Sequence, residues 1–428
     1  MVAGRSVRAG GSLLVSLRVQ ALVSLVLAVV LPAVVRYQDL VQDGLGNAAS
    51  RNSIIAAVVG VVFGLFLLRR VTEFPGTRAY DLILPSYATS YGLVLAFLFA
   101  SRFEYARIYM ASSFGMAIVT SFIIGYWLDR YGVRRFYVVP AGNVETLLAN
   151  EGVDWVIMRT PEVPAERFAP IVADLHHDHD GEWERTLAEA AVRGHPVYHT
   201  KLLGESLTGK SSIDHLSENS FGSLVPNLAY RKVKRVADVV GCIVAIPILI
   251  PVLLGIALII RLDSAGPVLF LQERMGYRGQ PFRMFKFRTM RPRPPIEDEE
   301  DARADAMTRT DDDRVTQVGR FLRRSRLDEL PQVWNVLRGE MSWIGPRPEA
   351  VSLSQWYDGE LPFYLYRHIV RPGITGWAQV NLGHVTSLED VNDKLKYDFY
   401  YIKNLSAGLD ILIVLRTVQT ILSGFGSK

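Results

Sequence analysis

Two adjacent carboxylates, Asp328 and Glu329, follow a run of guanidinium groups at Arg320, Arg323, Arg324 and Arg326. Side chains one residue apart on a helix do not face each other, so the pair divides its roles. One carboxylate can attack or be attacked, while the other holds a cation or sets the local field. The arginines give a fixed positive field suited to phosphate oxygens. Surface ion pairs produce similar local patterns, so the neighbouring motifs decide how far this reading goes.

Those motifs come in a fixed order. Upstream stand Gly266-Pro267, the segment Phe270-Leu271-Gln272-Glu273-Arg274-Met275-Gly276, and Lys286-Phe287-Arg288-Thr289-Met290. Downstream stand Gly345-Pro346-Arg347-Pro348 and Arg371-Pro372-Gly373-Ile374-Thr375-Gly376-Trp377-Ala378-Gln379. Glycine and proline at this density mark tight turns whose backbone N–H groups can approach an anion closely.

From about residue 234 to the end, the ordered set resembles the bacterial sugar transferase family, the polyprenyl-phosphate glycosyl-1-phosphate transferases. Lys234-Arg235 with Asp238 and Leu327-Asp328-Glu329-Leu330-Pro331-Gln332 complete the match. The resemblance implies that Asp328 is a nucleophile that displaces a nucleoside monophosphate and carries a phosphosugar. Asp328 and Glu329 would hold Mg²⁺, and Lys286, Arg288, Arg323, Arg347 and Gln379 would contact the substrate and its phosphates. The substrates implied are a UDP-sugar, with glucose or galactose expected, and undecaprenyl phosphate; the product would start exopolysaccharide or O-antigen synthesis. The chemistry is coherent, because a carboxylate nucleophile splits phosphoryl transfer into two steps while Mg²⁺ and arginines neutralise developing charge. This chain departs from the family pattern at Ile250, before Pro251, at Arg326, and at the bulky Trp343.

The elements that must position these residues begin in a membrane. The chain has 428 residues, 49% of them hydrophobic, with mean hydropathy +0.17. The net charge of +4 is concentrated beside apolar runs, which favours a membrane surface over nucleic acid. Cys242 is the single cysteine and lies in an apolar run, so it reads as an inert buried thiol. Apolar stretches at 19–35, 52–68, 82–101 and 108–128 are 17, 17, 20 and 21 residues long, against roughly 20 for a span. Arg5, Arg8, Arg69, Arg70, Arg130, Arg134 and Arg135 fall on one side and put both ends of this unit in the cytoplasm, with Arg102 and Arg107 on the other side.

Residues 136–220 alternate short strands with helices, as in a small α/β layer. The turn Pro140-Ala141-Gly142-Asn143 has one glycine, short of a dinucleotide fingerprint, so no bound cofactor is expected. His176, His177 and His179 with Asp178 and Asp180 resemble metal ligands but are too crowded to converge on one ion, which favours a solvated loop. The acidic stretch 297–313 reads as a solvated linker. Residues 397–404 read as aromatic packing and 409–425 as an interfacial helix.

The expected fold is therefore membrane α plus α/β. Four transmembrane helices (1–135) precede a degenerate Rossmann-like cytoplasmic domain (136–225) and a mostly helical catalytic domain (226–428). Residues 239–260 are apolar and contain Pro247 and Pro251, after the basic cluster Arg231, Lys232, Lys234 and Arg235. A fifth crossing would carry the catalytic third away from cytoplasmic nucleotide sugars. A re-entrant helix over 236–262, broken at Pro251, is expected instead, on the cytoplasmic face of the bacterial inner membrane. Lys234, Arg235, Asp238 and Pro251 would define it. A homodimer is compatible with the available surface. The competing expectation is a non-catalytic scaffold of polysaccharide export that binds nucleotide through the α/β layer; it has no use for the Asp328-Glu329 pair.

Overall fold

The computed structural model describes residues 6–7, 16–37, 46–72, 79–133, 135–150, 153–166, 168–211, 228–291, 314–382 and 387–423. The acidic stretch 297–313 lies outside the described residues. The chain divides into two compact units, Met1–Gly209 and Lys210–Lys428.

The first unit begins with four apolar helices, α1 (Leu17–Arg36), α2 (Ala48–Thr72), α3 (Ala79–Ala100) and α4 (Arg107–Tyr131). In α1 the stretch Val26–Val30 widens to a π-helix just before Pro32, whose ring cannot fit a regular preceding turn. Gly60 and Gly64 let α2 and α3 approach closely. A Cβ on Gly60 would lie 2.9 Å from the Tyr91 ring, and one on Gly64 2.5 Å from the Tyr87 ring. Buried hydroxyls cross-link the bundle, with Ser90 donating to the Gly60 carbonyl at 2.7 Å and Ser121 to the Tyr87 hydroxyl at 2.9 Å.

An α/β layer follows in the same unit. Strands β1 (Arg135–Val138), β2 (Asp154–Ile157), β3 (Ile171–Ala173) and β4 (Val197–His199) form a parallel sheet in the order β2-β1-β3-β4. Strand alternation sends Phe136 and Val138 to one face, against Leu147 and Leu203. Val139, Ile171 and Ala173 meet Ala190 on the other. The sheet is thus covered on both sides, as parallel sheets require.

The second unit opens with α8 (Leu228–Asp263), numbered after the short helices α5 (Glu145–Leu148), α6 (Gly181–Val192) and α7 (Thr200–Thr208). Helical backbone continues through both Pro247 and Pro251. The break expected at Pro251 is therefore not an irregular interruption. A proline removes one helical hydrogen bond and bends the helix there without needing to end it.

Both halves of α8 pack on the same unit. Before Pro251, Cys242, Ile246 and Leu249 join Met284, Val333, Val336 and Met341. After it, Leu253, Ile256 and Ile260 join Phe287, Leu322, Leu327 and Leu330. The rest of the helix is bare: 11% of its apolar window is buried, against 50% for α2. Including α8, the described residues hold five helices long and apolar enough to cross a membrane, and the chain is a membrane protein.

A two-stranded antiparallel hairpin, β5 (Leu269–Met275) and β6 (Pro281–Phe287), follows α8. Beyond it come α9 (Gln317–Arg324), a 3₁₀ segment Leu327–Gln332 and α10 (Val333–Arg338). The short parallel strands β7 (Ser342–Ile344) and β8 (Gly373–Thr375) pair, and α13 (Leu388–Lys403) and α14 (Ala407–Ser423) close the unit. Helices α11 (Val351–Glu360) and α12 (Trp377–Asn381) lie between them in sequence.

Candidate active site

Asp328 and Glu329 are buried on the 3₁₀ segment, which Arg326 introduces in the left-handed conformation with φ 57°. A non-glycine residue there costs of order 1–3 kcal/mol and marks a segment held by its surroundings. Those surroundings are the two apolar clusters fed by α8. Leu327 and Leu330 belong to the one after Pro251, and Val333 to the one before it. The helix α8 therefore grips the carboxylate-bearing segment from both ends.

Three cations converge on Glu329. Its Oε1 lies 3.0 Å from an Arg347 guanidinium nitrogen, 3.4 Å from Lys286 Nζ and 3.8 Å from Arg326. Burial pushes the Glu329 carboxyl up, but Arg347, Lys286 and Arg326 outweigh it and hold the group far below the usual carboxylate range. Asp328 goes the other way, raised first by burial and then by the Glu329 charge. Burial lowers Lys286 to about 8 against the pull of Glu329. Glu329 also raises Arg347. Two neighbouring carboxylates thus acquire opposite character: a fixed anion and a more basic neighbour. Their titration belongs to the pair as a whole.

The supporting turns differ from the sequence expectation in one respect. The amides of the Gly/Pro motifs bind each other, with Gly345 N–H donating to the Thr375 carbonyl at 2.8 Å and Gly373 N–H to Pro346 at 2.9 Å. A Cβ on Gly373 would sit 2.0 Å from the Gly345 nitrogen, so these motifs are glycine-rich to let two backbones touch. Their product is the placement of Arg347 beside Glu329.

Of the remaining expected contacts, Arg323 is near enough to Asp328 to lower it, and its Nε donates to the Thr289 hydroxyl at 3.0 Å. Arg288 is not brought to this cluster: its buried guanidinium donates to the carbonyls of Ser264 at 2.7 Å and Ala265 at 2.9 Å, bracing the turn after α8. Gln379 is likewise turned to structure, its Nε2 donating to the Ile374 carbonyl at 2.9 Å. Lys234, Arg235 and Asp238 dock α8. Lys234 pairs with Asp410 at 2.7 Å, and Arg235 donates to the Val336 carbonyl at 2.6 Å. Asp238 accepts from the Ser342 hydroxyl at 3.0 Å and the Trp343 amide at 3.2 Å. The Trp343 indole donates back to the Asp238 carbonyl at 3.1 Å, which gives the bulky residue a docking role.

A model of the bacterial sugar transferase family matches residues 229–424, the unit that carries Asp328. The UDP-N-acetylgalactosamine-undecaprenyl-phosphate N-acetylgalactosaminephosphotransferase of Aeromonas hydrophila is 41% identical over 408 residues, 94% of each chain. The chain belongs to the bacterial sugar transferase family. Two UDP-glucose:undecaprenyl-phosphate glucose-1-phosphate transferases match over just under half of this chain. That of Caulobacter vibrioides is 43% identical over 204 residues, 47% of this chain and 74% of the relative. That of Escherichia coli is 42% identical over 200 residues, 46% of this chain and 41% of the relative.

Sequence reasoning missed a second buried network behind the transferase site. Arg367 donates to the Arg347 carbonyl at 2.8 Å and pairs with Asp398 at 2.8 Å, both partners being almost fully buried. Glu349 lies beside Arg367 at 3.8 Å and Arg274 at 4.0 Å and bonds Lys394. Burial would raise Glu349, but Lys394, Arg367 and Arg274 hold it at about 2. The sequence signal was present in Glu349 directly after Gly-Pro-Arg-Pro and in the lone acid among the aromatics at 397–404. Those aromatics pack: Tyr401 is buried with its hydroxyl on Asp410 at 2.9 Å, and Tyr400 stacks on Trp377.

Proposed function

We propose that this membrane protein transfers a sugar 1-phosphate from a UDP-sugar to undecaprenyl phosphate, through a phosphosugar carried on Asp328. The observation that carries the reading is the buried Asp328-Glu329 pair with Lys286, Arg347 and Arg326 gathered around Glu329. Such a ring has more positive charge than one carboxylate needs, and the donor's diphosphate takes up the remainder. The raised basicity of Asp328 suits a nucleophile. Its carboxylate oxygen forms a bond to the sugar-bearing phosphorus as the bond to the uridine monophosphate oxygen breaks. The lipid phosphate oxygen then attacks the same phosphorus and releases Asp328.

Adjacent carboxylates are an oxygen donor set of the kind that Mg²⁺ takes, so Asp328 and Glu329 would hold it. Bound there, Mg²⁺ would supply neutralisation of phosphate charge. Lys286, Arg347 and Arg323 orient the phosphates, and the apolar clusters beneath the 3₁₀ segment exclude water.

We further read α8 as re-entrant, entering and leaving the inner membrane by its cytoplasmic face. Support comes from the packing of both its halves on one catalytic unit, its bare apolar face and the basic residues at its start. A cysteine placed beside Pro251 that reacts with a periplasmic reagent overturns that topology. For the donor, UDP-N-acetylgalactosamine leads, because the relative named for it matches across both units; glucose and galactose come next. Purified protein with Mg²⁺, undecaprenyl phosphate and each of the three donors decides the matter. A lipid-linked diphosphosugar from one donor is the expected result, and no product from any of them removes the enzymatic reading.

A further inference from the structure

The first unit contains a cluster that transfer chemistry does not use. Asp174 directly follows β3, His176 lies two residues on, and His199 ends β4. All three sit at the carboxyl end of the parallel sheet, where open α/β sheets bind ligands. The order β2-β1-β3-β4 places the reversal of strand order between β1 and β3.

In a nucleotide-binding sheet the first turn offers its amides to phosphate. Here a carboxylate of the chain already holds that place: Asn143 N–H donates to Asp174 Oδ2 at 2.9 Å and His176 N–H to Oδ1 at 3.2 Å. Gly142, at φ +75°, permits the approach, since a Cβ there would lie 2.6 Å from the Asp174 Cβ and 2.7 Å from its Oδ2. The crevice therefore presents an anion and two imidazoles, a combination that repels phosphate and suits a cation.

We propose that Asp174, His176 and His199 bind a divalent transition-metal ion, with Zn²⁺ the best match. One ligand atom from each residue lies within 4.8 Å of the others. His199 Nε2 and His176 Nδ1 are 3.1 Å apart, close to the roughly 3.3 Å that two ligands about 2.0–2.1 Å from a tetrahedral Zn²⁺ require. Asp174 Oδ1 is 3.8 Å from the other ring nitrogen of His199, Nδ1, which is not the nitrogen that faces His176. Two imidazoles and one carboxylate form a set that prefers Zn²⁺ or its transition neighbours over Mg²⁺ and leaves a coordination position open. His179 steadies the loop through its Nε2, 2.9 Å from the Asp174 carbonyl oxygen. Of the crowded His/Asp run in the sequence, this site takes only His176. Its partners come from the strand end before that run and from the next strand.

The test uses full-length protein in detergent, stripped with a chelator and titrated with Zn²⁺, the metal content being read by mass spectrometry. Stoichiometric Zn²⁺ and a tetrahedral Co²⁺ absorption band are expected in the wild type. His199→Ala and the exposed-site variant His176→Ala should each weaken Zn²⁺ binding beyond the roughly 10–100-fold that losing an outer partner of a ligand costs. Equal melting of the chelated wild type and His176→Ala shows that the fold survives the substitution. A wild type that holds no Zn²⁺, or variants that hold as much as the wild type, overturns the proposal.

Discussion

The catalytic unit places a buried carboxylate among nitrogen groups and the α/β layer a half-buried one, to opposite ends. Around Glu329 the partners are cationic side chains, Arg347, Lys286 and Arg326, and the surplus positive charge calls for a phosphate from outside. Around Asp174 the partners are backbone amides and imidazoles, and the protein's own carboxylate fills the place of the phosphate. The same carboxylate group recruits an anion in one unit and displaces one in the other. The nature of the surrounding nitrogens decides which.

The sharpest way to break that contrast is at Asp328. Asp328→Asn keeps the size but removes the nucleophile, and a loss of at least ~10³-fold in transfer is expected from radiolabelled product formation. Arg347→Ala should cost about 10²–10³-fold in kcat, as losing a preorganised donor to a charged group does. The same substitution removes the strongest contact to Glu329.

A smaller effect separates fixed from titratable charge. Lys286 sits at about 8, so its cation is present below that pH and lost above it. The ratio kcat/KM should be flat at neutral pH and fall about tenfold per pH unit above roughly 8. Lys286→Arg should move that fall beyond the accessible alkaline range, and an unchanged profile would remove Lys286 from the phosphate contacts. Least affected is the α/β layer. Gly142→Ala meets both a positive φ and the Asp174 side chain, so it should destabilise the first unit by about 1–3 kcal/mol, read as lowered melting.

Sequence and structure part company in instructive places. Asp328, Glu329, Lys286 and Arg347 were legible because each lies in a short motif. Arg288 shares a motif with Lys286 yet lies just past the end of β6, where its guanidinium turns to the carbonyls of Ser264 and Ala265. Arg367, Asp398 and Glu349 were not legible as a network, since their pairing depends on the 3₁₀ turn Tyr364–Ile369 and on helix α13, distant in sequence, folding against one another. His199 joins His176 only through the parallel pairing of β3 and β4. The four early apolar helices and the α/β alternation were readable from periodicity. The continuity of α8 through Pro251 was not, because proline limits a helix locally while packing on both sides of the bend sustains it.

The central claim is that Asp328 carries the sugar phosphate. Protein incubated with the UDP-sugar and Mg²⁺ but without lipid acceptor, then quenched and digested, tests it by the mass of the Asp328 peptide. The account predicts a sugar-phosphate adduct on Asp328 that disappears when undecaprenyl phosphate is added. Turnover with no such adduct, or an adduct on another residue, would contradict it.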